Sequence, residues 1–191
     1  MKHIAIAAVL LVSLVGPARA GFNEGMAAYE RGDYETAIRE WLPLAEQGNA
    51  NAQSKLGFVY YVGAGVPQDY AEALKWYRKA AEQGDASGQN KLGFMYRVGE
   101  GVPQDYAEAA KWFRKAAEQG DAKAQVFLGF GYAQGNGVPQ DIIQAYMWFN
   151  LAAVQGDKAG RAWRDYAAKG MTSADISKAQ ALAHEWMEKH Q

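Results

Sequence analysis

The chain has 191 residues, 49% of them hydrophobic, with 20 Lys+Arg against 21 Asp+Glu for a formal net charge of −1, and no cysteine. That balance lacks the basic footprint of a nucleic-acid binder, and without cysteine there can be no disulfide, thiolate metal site or Cys nucleophile. The length suits one domain or a modest repeat array.

The first 20 residues read as an export leader. Lys2 and His3 make a short positive region, 4–15 is an apolar run, Gly16-Pro17 breaks it, and Ala18-Arg19-Ala20 fits the small-x-small cleavage rule. Cleavage after Ala20 would start the mature chain at Gly21 and place it in the periplasm or outside the cell. The apolar run is well short of the roughly 20 residues a bilayer span needs, and no cysteine follows it to carry a lipid. No membrane insertion is therefore expected after cleavage. Without Lys2 and Arg19 the basic residues fall from 20 to 18, and 18 minus 21 gives −3.

Residues 21–48 contain "GMAAYERGDYETAIREWLPLAEQG", which reads as two helices joined at Arg31-Gly32-Asp33. The tripeptide matches an adhesion motif, but glycine and a capping aspartate are what a turn at this place requires.

From there the chain repeats. "GVPQD" occurs at 65–69, 101–105 and 137–141, each copy 36 residues after the last, and Trp76, Trp112 and Trp148 keep the same spacing. A fixed period of this size is the mark of a stacked solenoid. Each period reads as a helix pair. In "DYAEALKWYRKAAEQG", Asp69 is a good N-cap with Glu72 three residues on, an approximate capping box. The pair recurs as Asp105 with Glu108 and weakens to Asp141 with Gln144. At 100° per residue, Trp76, Ala80, Ala73, Tyr77, Tyr70, Ala81 and Leu74 share an arc of about 160°, opposite the charged residues. The other helix, "DASGQNKLGFMYRVG", is capped by Asp85 and ended by Gly99. Its Leu92-Gly93 pair recurs as Leu56-Gly57 and Leu128-Gly129. A mid-helix glycine costs about 1 kcal/mol against alanine, so its repetition predicts that a Trp or Tyr of the neighbouring helix presses on the backbone there. "GVPQD" itself is a connector: glycine supplies positive φ, proline fixes the entry and aspartate caps the next helix.

The pattern Ala/Gly-x3-Leu-Gly-x2-Tyr-x2-Gly-x-Gly-Val-x-x-Asp-x3-Ala-x2-Trp-Tyr/Phe-x2-Ala-Ala-x-x-Gly resembles the Sel-one-like repeat (SLR) family, α/α relatives of the tetratricopeptide repeats. Three units match, at 49–84, 85–120 and 121–156. Residues 21–48 are similar to a shorter tetratricopeptide-type unit, without the five-residue loop extension. Residues 157–191 lose the period and close with a capping helix opened by Thr172 and Asp175. The expected fold is an all-α, right-handed α/α solenoid of about ten helices, two per unit plus a terminal cap.

Several short motifs invite chemistry and have simpler readings. The Gly-x-Gly sequences at 63–65, 99–101 and 135–137 lack both the strand and the spacing of a dinucleotide loop. Asp69, Asp105 and Asp141 recur once per repeat at helix starts, where capping explains them. "HEWME" at 184–188 has glutamate where the zinc motif needs its second histidine. Trp76, Tyr77, Trp112, Phe113, Trp148 and Phe149 could line a groove but read first as core between repeats. No catalytic, metal or cofactor site is assigned.

What remains is the variable face of the Leu-Gly helix. Asn51, Ser54, Lys55 and Phe58, then Ser87, Asn90, Lys91 and Phe94, then Lys123, Val126, Phe127 and Phe130 fall on the side away from the repeat-defining residues. In tetratricopeptide-type stacks the first helix of each pair lines the concave surface, so the resemblance makes this strip the candidate protein-binding face. The alternative for the phenylalanines is packing between repeats. The resemblance implies a non-enzymatic, monomeric adaptor that holds a protein or peptide. A second reading is a cell-wall or β-lactam-type binder or hydrolase, weakened because the relatives linked to that chemistry are cysteine-rich.

Overall fold

The computed structural model describes residues 15–190, with side chains from Gly21 onward. The expected leader therefore lies outside the described side chains, and only its last six residues appear, as the start of the first helix. Ten helices follow one another with no strand among the described residues: α1 (Val15–Glu30), α2 (Tyr34–Glu46), α3 (Ala50–Val62), α4 (Tyr70–Glu82), α5 (Ala86–Val98), α6 (Tyr106–Glu118), α7 (Ala122–Gln134), α8 (Ile142–Val154), α9 (Lys158–Ala168) and α10 (Ser173–Lys189).

Local chemistry sets these boundaries. Asp69 accepts from the N–H groups of Ala71 and Glu72 at 2.9 and 3.0 Å, and Asp105 and Asp141 repeat the pattern at α6 and α8. The expected capping box is only half formed there. Glu72 and Glu108 turn outward to pair with Lys75 and Lys111 one turn on, because the Asp69 and Asp105 backbone N–H groups they would accept from already donate to the Tyr60 and Tyr96 carbonyls at 2.9 Å. Thr172 and Asp175 make the complete reciprocal box at α10. In the turn before α6, Gly101 has φ +70, and a Cβ on it would stand 2.5 Å from the Tyr70 carbonyl oxygen of the preceding repeat. Both the conformation and the space demand glycine. Arg31, Gly32 and Asp33 form the α1–α2 turn, where Asp33 accepts from the Thr36 N–H at 3.1 Å.

Each helix from α1 to α8 packs on the next, α3 also touches α5, α7 touches α9, and α10 folds back onto α8. The molecule is thus an α/α solenoid with an odd-numbered and an even-numbered layer. The core between them is built from the amphipathic faces anticipated above: Ala73, Trp76, Tyr77, Ala80 and Ala81 of α4 are buried, with Tyr70 and Leu74 at its margin. The mid-helix glycines receive rings, but from the residue after each tryptophan. A Cβ on Gly57 would meet Tyr77 at 2.6 Å, one on Gly93 would meet Phe113 at 2.9 Å, and one on Gly129 would meet Phe149 at 2.6 Å. The tryptophans point a little aside, with the Lys79 and Lys115 amines 4.5 and 4.3 Å above the Trp76 and Trp112 rings.

A buried polar ladder also runs through the stack. Gln53, Gln89 and Gln125 are buried, and their side-chain amides donate to the carbonyls of Ala45, Ala81 and Ala117 at 2.9, 3.2 and 3.2 Å. Their own side-chain oxygens accept from Gln83, Gln119 and Gln155 at 2.6, 2.7 and 2.9 Å. Each link closes the helix end of one unit onto the next, which satisfies polar groups that would otherwise be costly to bury.

Candidate functional site

The odd-numbered layer carries a continuous groove made of four depressions that share walls. The first, about 200 Å³, lies among Ser54, Lys55, Phe58, Tyr77, Ser87 and Lys91. Tyr77 and Lys91 pass into the second, about 220 Å³, with Tyr61, Asn90, Phe94, Met95, Lys123 and Phe127. Phe127 opens the third, about 340 Å³, which Arg97, Tyr106, Phe113, Phe130 and Gln134 help to enclose. Phe130 and Gln134 lead into the fourth and largest, about 740 Å³, walled by Ile142, Phe149, Trp163, Tyr166 and Lys169.

The repeat period generates this surface. Positions 55, 91, 127 and 163 hold Lys, Lys, Phe and Trp; positions 58, 94, 130 and 166 hold Phe, Phe, Phe and Tyr; positions 61, 97, 133 and 169 hold Tyr, Arg, Ala and Lys. Residues three or four apart share one helical face, so three rows in 36-residue register pave the groove and extend it onto α9.

Of the expected strip, Ser54, Lys55, Phe58, Ser87, Asn90, Lys91, Phe94, Lys123, Phe127 and Phe130 are brought into this lining. Asn51 is exposed but borders no depression, and Val126 is buried in the core against α8. Ser54 and Asn90 are buried at the groove floor, where Asn90 donates to Asp121 at 3.0 Å. The phenylalanines both bridge helices and stay half-buried: Phe58 meets Tyr29 at 6.2 Å, Phe94 meets Tyr61 at 6.4 Å and Phe127 at 5.9 Å, and Phe130 meets Trp163 at 4.8 Å. Packing between repeats and lining the groove are therefore one role here. Tyr77, Phe113 and Phe149, read as core, are core and groove floor at once.

Other lining residues lie beyond the sequence reading. Tyr61 and Arg97 sit one turn further along the same helix face, a step the strip stopped short of. Tyr106 and Ile142 open the next helix of each pair and are 40% exposed. Trp163 and Tyr166, 39% and 65% exposed, fall where the period has faded; only a count of 36 from Phe127 and Phe130 would have found them.

Burial and charge tune the site. Lys91 stands over the Phe58 ring at 5.8 Å, and its amine is held below the usual lysine range, by burial first and by Lys123 second, against the pull of Asp121. The Tyr61 hydroxyl is pushed up to about 12 by burial and by the Glu100 carboxylate beside it. The Tyr77 hydroxyl is raised further, chiefly by burial. Arg97 lies against the Phe94 and Phe127 rings at 5.1 and 4.9 Å.

The histidine motif of α10 stands apart from the groove. His184 pairs with Glu188 at 3.2 Å on the exposed side of α10, and His190 stacks on Trp186 at 4.1 Å. The described residues hold no group of three or more His, Asp or Glu side chains placed for a metal ion. No described helix is long and apolar enough to cross a membrane.

The Sel1 repeat model matches residues 50–85, 86–121 and 122–157. The chain belongs to the Sel1 repeat family. Among the solved structures that resemble this Sel1 repeat protein are two from bacteria. One is c5321, described as a protective antigen present in uropathogenic Escherichia coli strains displaying an SLR fold, with 30% identity, a TM-score of 0.65 and 92% of this chain covered. The match takes in 46% of that protein, so the chain spans less than half its length. The other is a Sel1 repeat protein from Oxalobacter formigenes, with 32% identity, a TM-score of 0.68, and 81% of this chain and 74% of that one covered. No curated protein matches the sequence. Sel1 repeat proteins are generally non-enzymatic protein-interaction scaffolds.

Proposed function

We propose that this protein is an exported, monomeric, non-enzymatic adaptor that docks a protein or peptide segment along the groove of its odd-numbered helices. Its organisation would be a leader at 1–20, an N-terminal unit at 21–48, three repeats at 49–84, 85–120 and 121–156, and a cap at 157–191. The carrying observation is that four depressions share walls along rows in 36-residue register, floored by the repeat rings Tyr77, Phe113 and Phe149. An elongated lining of aromatic rings interspersed with amines and amides suits an extended chain better than one compact ligand. The family's general use as an interaction scaffold supports the same reading over the cell-wall or β-lactam-type alternative.

A photo-crosslinking amino acid at position 58, 130 or 166, compared with positions 82 and 118 on the even-numbered helices, tests it in the native cell envelope. Reproducible crosslinks from the groove positions alone are expected. Crosslinks from 82 or 118 alone would move the docking surface to the other layer.

A further inference from the structure

The charged side chains lining the four depressions are Lys55, Lys91, Arg97, Lys123 and Lys169, and no carboxylate lines any of them. This is unexpected in a chain whose net charge is −1. None of the five forms an ion pair with a described carboxylate, whereas Lys75 and Lys111 on the even-numbered helices do. Asp121, whose charge reaches Lys91, accepts from the Ala124 N–H at 2.7 Å and from Asn90, and Glu100 faces Tyr61. The cations are also unevenly placed. Along one register row, Lys55 and Lys91 give way to Phe127 and Trp163, so the amines gather in one half and the exposed rings in the other, an aromatic half with Arg97 at its near edge and Lys169 at its far end.

Resting on the reading of this groove as a docking surface, we infer that its occupant is an acidic peptide segment that also bears large apolar side chains. Its carboxylates lie against Lys55, Lys91 and Lys123, and its apolar groups against Phe130, Trp163 and Tyr166. A half-buried amine next to a second amine gains most from an incoming carboxylate, because the local dielectric is low and Asp121, which only partly offsets the repulsion, forms no ion pair with it. Across the aromatic half the gain is removal of exposed ring surface from water. The division sets the direction in which the peptide lies. A single-stranded nucleic acid fits less well, since the third and fourth depressions offer its run of phosphates one cation each, Arg97 and Lys169.

Selection from a random twelve-residue displayed-peptide library on the full chain tests this, with the winners measured on K55E/K123E and on W163A/Y166A. Lys123 is exposed and Lys55 half-exposed, so the charge reversal leaves the core intact; equal melting temperatures check that. The winners should combine Asp or Glu with Phe, Leu or Trp, bind K55E/K123E about tenfold or more weakly, and weaken as salt is raised. Neutral or basic winners, or winners that bind K55E/K123E as tightly as the parent yet lose binding to W163A/Y166A, overturn the acidic class while the docking groove stands. Winners indifferent to both variants, or an empty selection, overturn both. Tighter binding of a twelve-nucleotide oligo-dT, lost in K55E/K123E, would assign the groove to nucleic acid instead.

Discussion

Gly129 lies so close beneath Phe149 that a Cβ built on the glycine would stand 2.6 Å from the ring edge. The close approach recurs at Gly57 with Tyr77 and Gly93 with Phe113, so one steric rule sets the spacing between the two layers at each repeat. Gly129→Ala would gain about 1 kcal/mol of helix propensity, yet forcing the ring aside typically costs about 1–3 kcal/mol. A net loss of stability is expected, and Phe149→Leu in the same chain should recover part of it. Urea unfolding of the single and double variants reads this directly; a stabilised Gly129→Ala would show that the ring yields freely.

Gln125 is fully buried and holds two units together through Ala117 and Gln155. Gln125→Ala takes one hydrogen bond from the Ala117 carbonyl, which keeps the Gly120 N–H, and leaves the Gln155 amide only its 3.5 Å contact with the Leu151 carbonyl, a loss of about 1–3 kcal/mol for the two bonds. The same change at exposed Gln134 should cost less than about 0.5 kcal/mol. Thermal melts of the two variants measure the difference.

Asp105 caps α6 through two N–H groups. Asp105→Ala should lose about 1 kcal/mol, and Asp105→Asn much less, because a side-chain oxygen is retained. Amide exchange at 107 and 108 should speed up in the alanine variant before exchange elsewhere does.

Lys91 gives a pH signature. Its folded-state pKa is lowered by burial, then by Lys123, with Asp121 opposing. Below that folded pKa both folded and unfolded chains carry the proton, and the fold bears the full cost of the buried charge. As pH rises from the folded value toward the ordinary lysine value the unfolded chain binds more protons, so stability rises. Lys91→Met should therefore stabilise the protein at pH 7, and its advantage over the parent should shrink as pH approaches 10. Above that, ionisation of Tyr61, whose folded pKa is raised to about 12, favours unfolding in both proteins. Denaturation across pH 7–10 provides the check, and an advantage that does not change with pH would contradict the burial of the amine.

The period, the helix pairs, the aspartate caps and the glycine-to-ring packing were all legible in the sequence, because each is a local or strictly repeated demand. Phe58, Phe94 and Phe130 were legible as a row for the same reason. The glutamine ladder was not: Gln53, Gln89 and Gln125 look like surface residues until a partner 30 residues away is known to meet them. Burial of Val126, and the extension of the groove onto Trp163 and Tyr166, depend on how α8 and α9 close the stack. Residue type alone could not supply that, since the motif residues that mark the repeat have disappeared by α9.

The central claim is that shared residues build the stack and the variable rows of the odd-numbered helices do the docking. Hydroxyl-radical footprinting of the protein with and without a bound peptide from the selection tests it most directly. Oxidation of Trp163, Tyr166 and Tyr106 should fall on binding while that of Trp186 and Met187, in the depression among α6, α8 and α10, stays unchanged. Protection of Trp186 and Met187 with Trp163 and Tyr166 unaltered would contradict it.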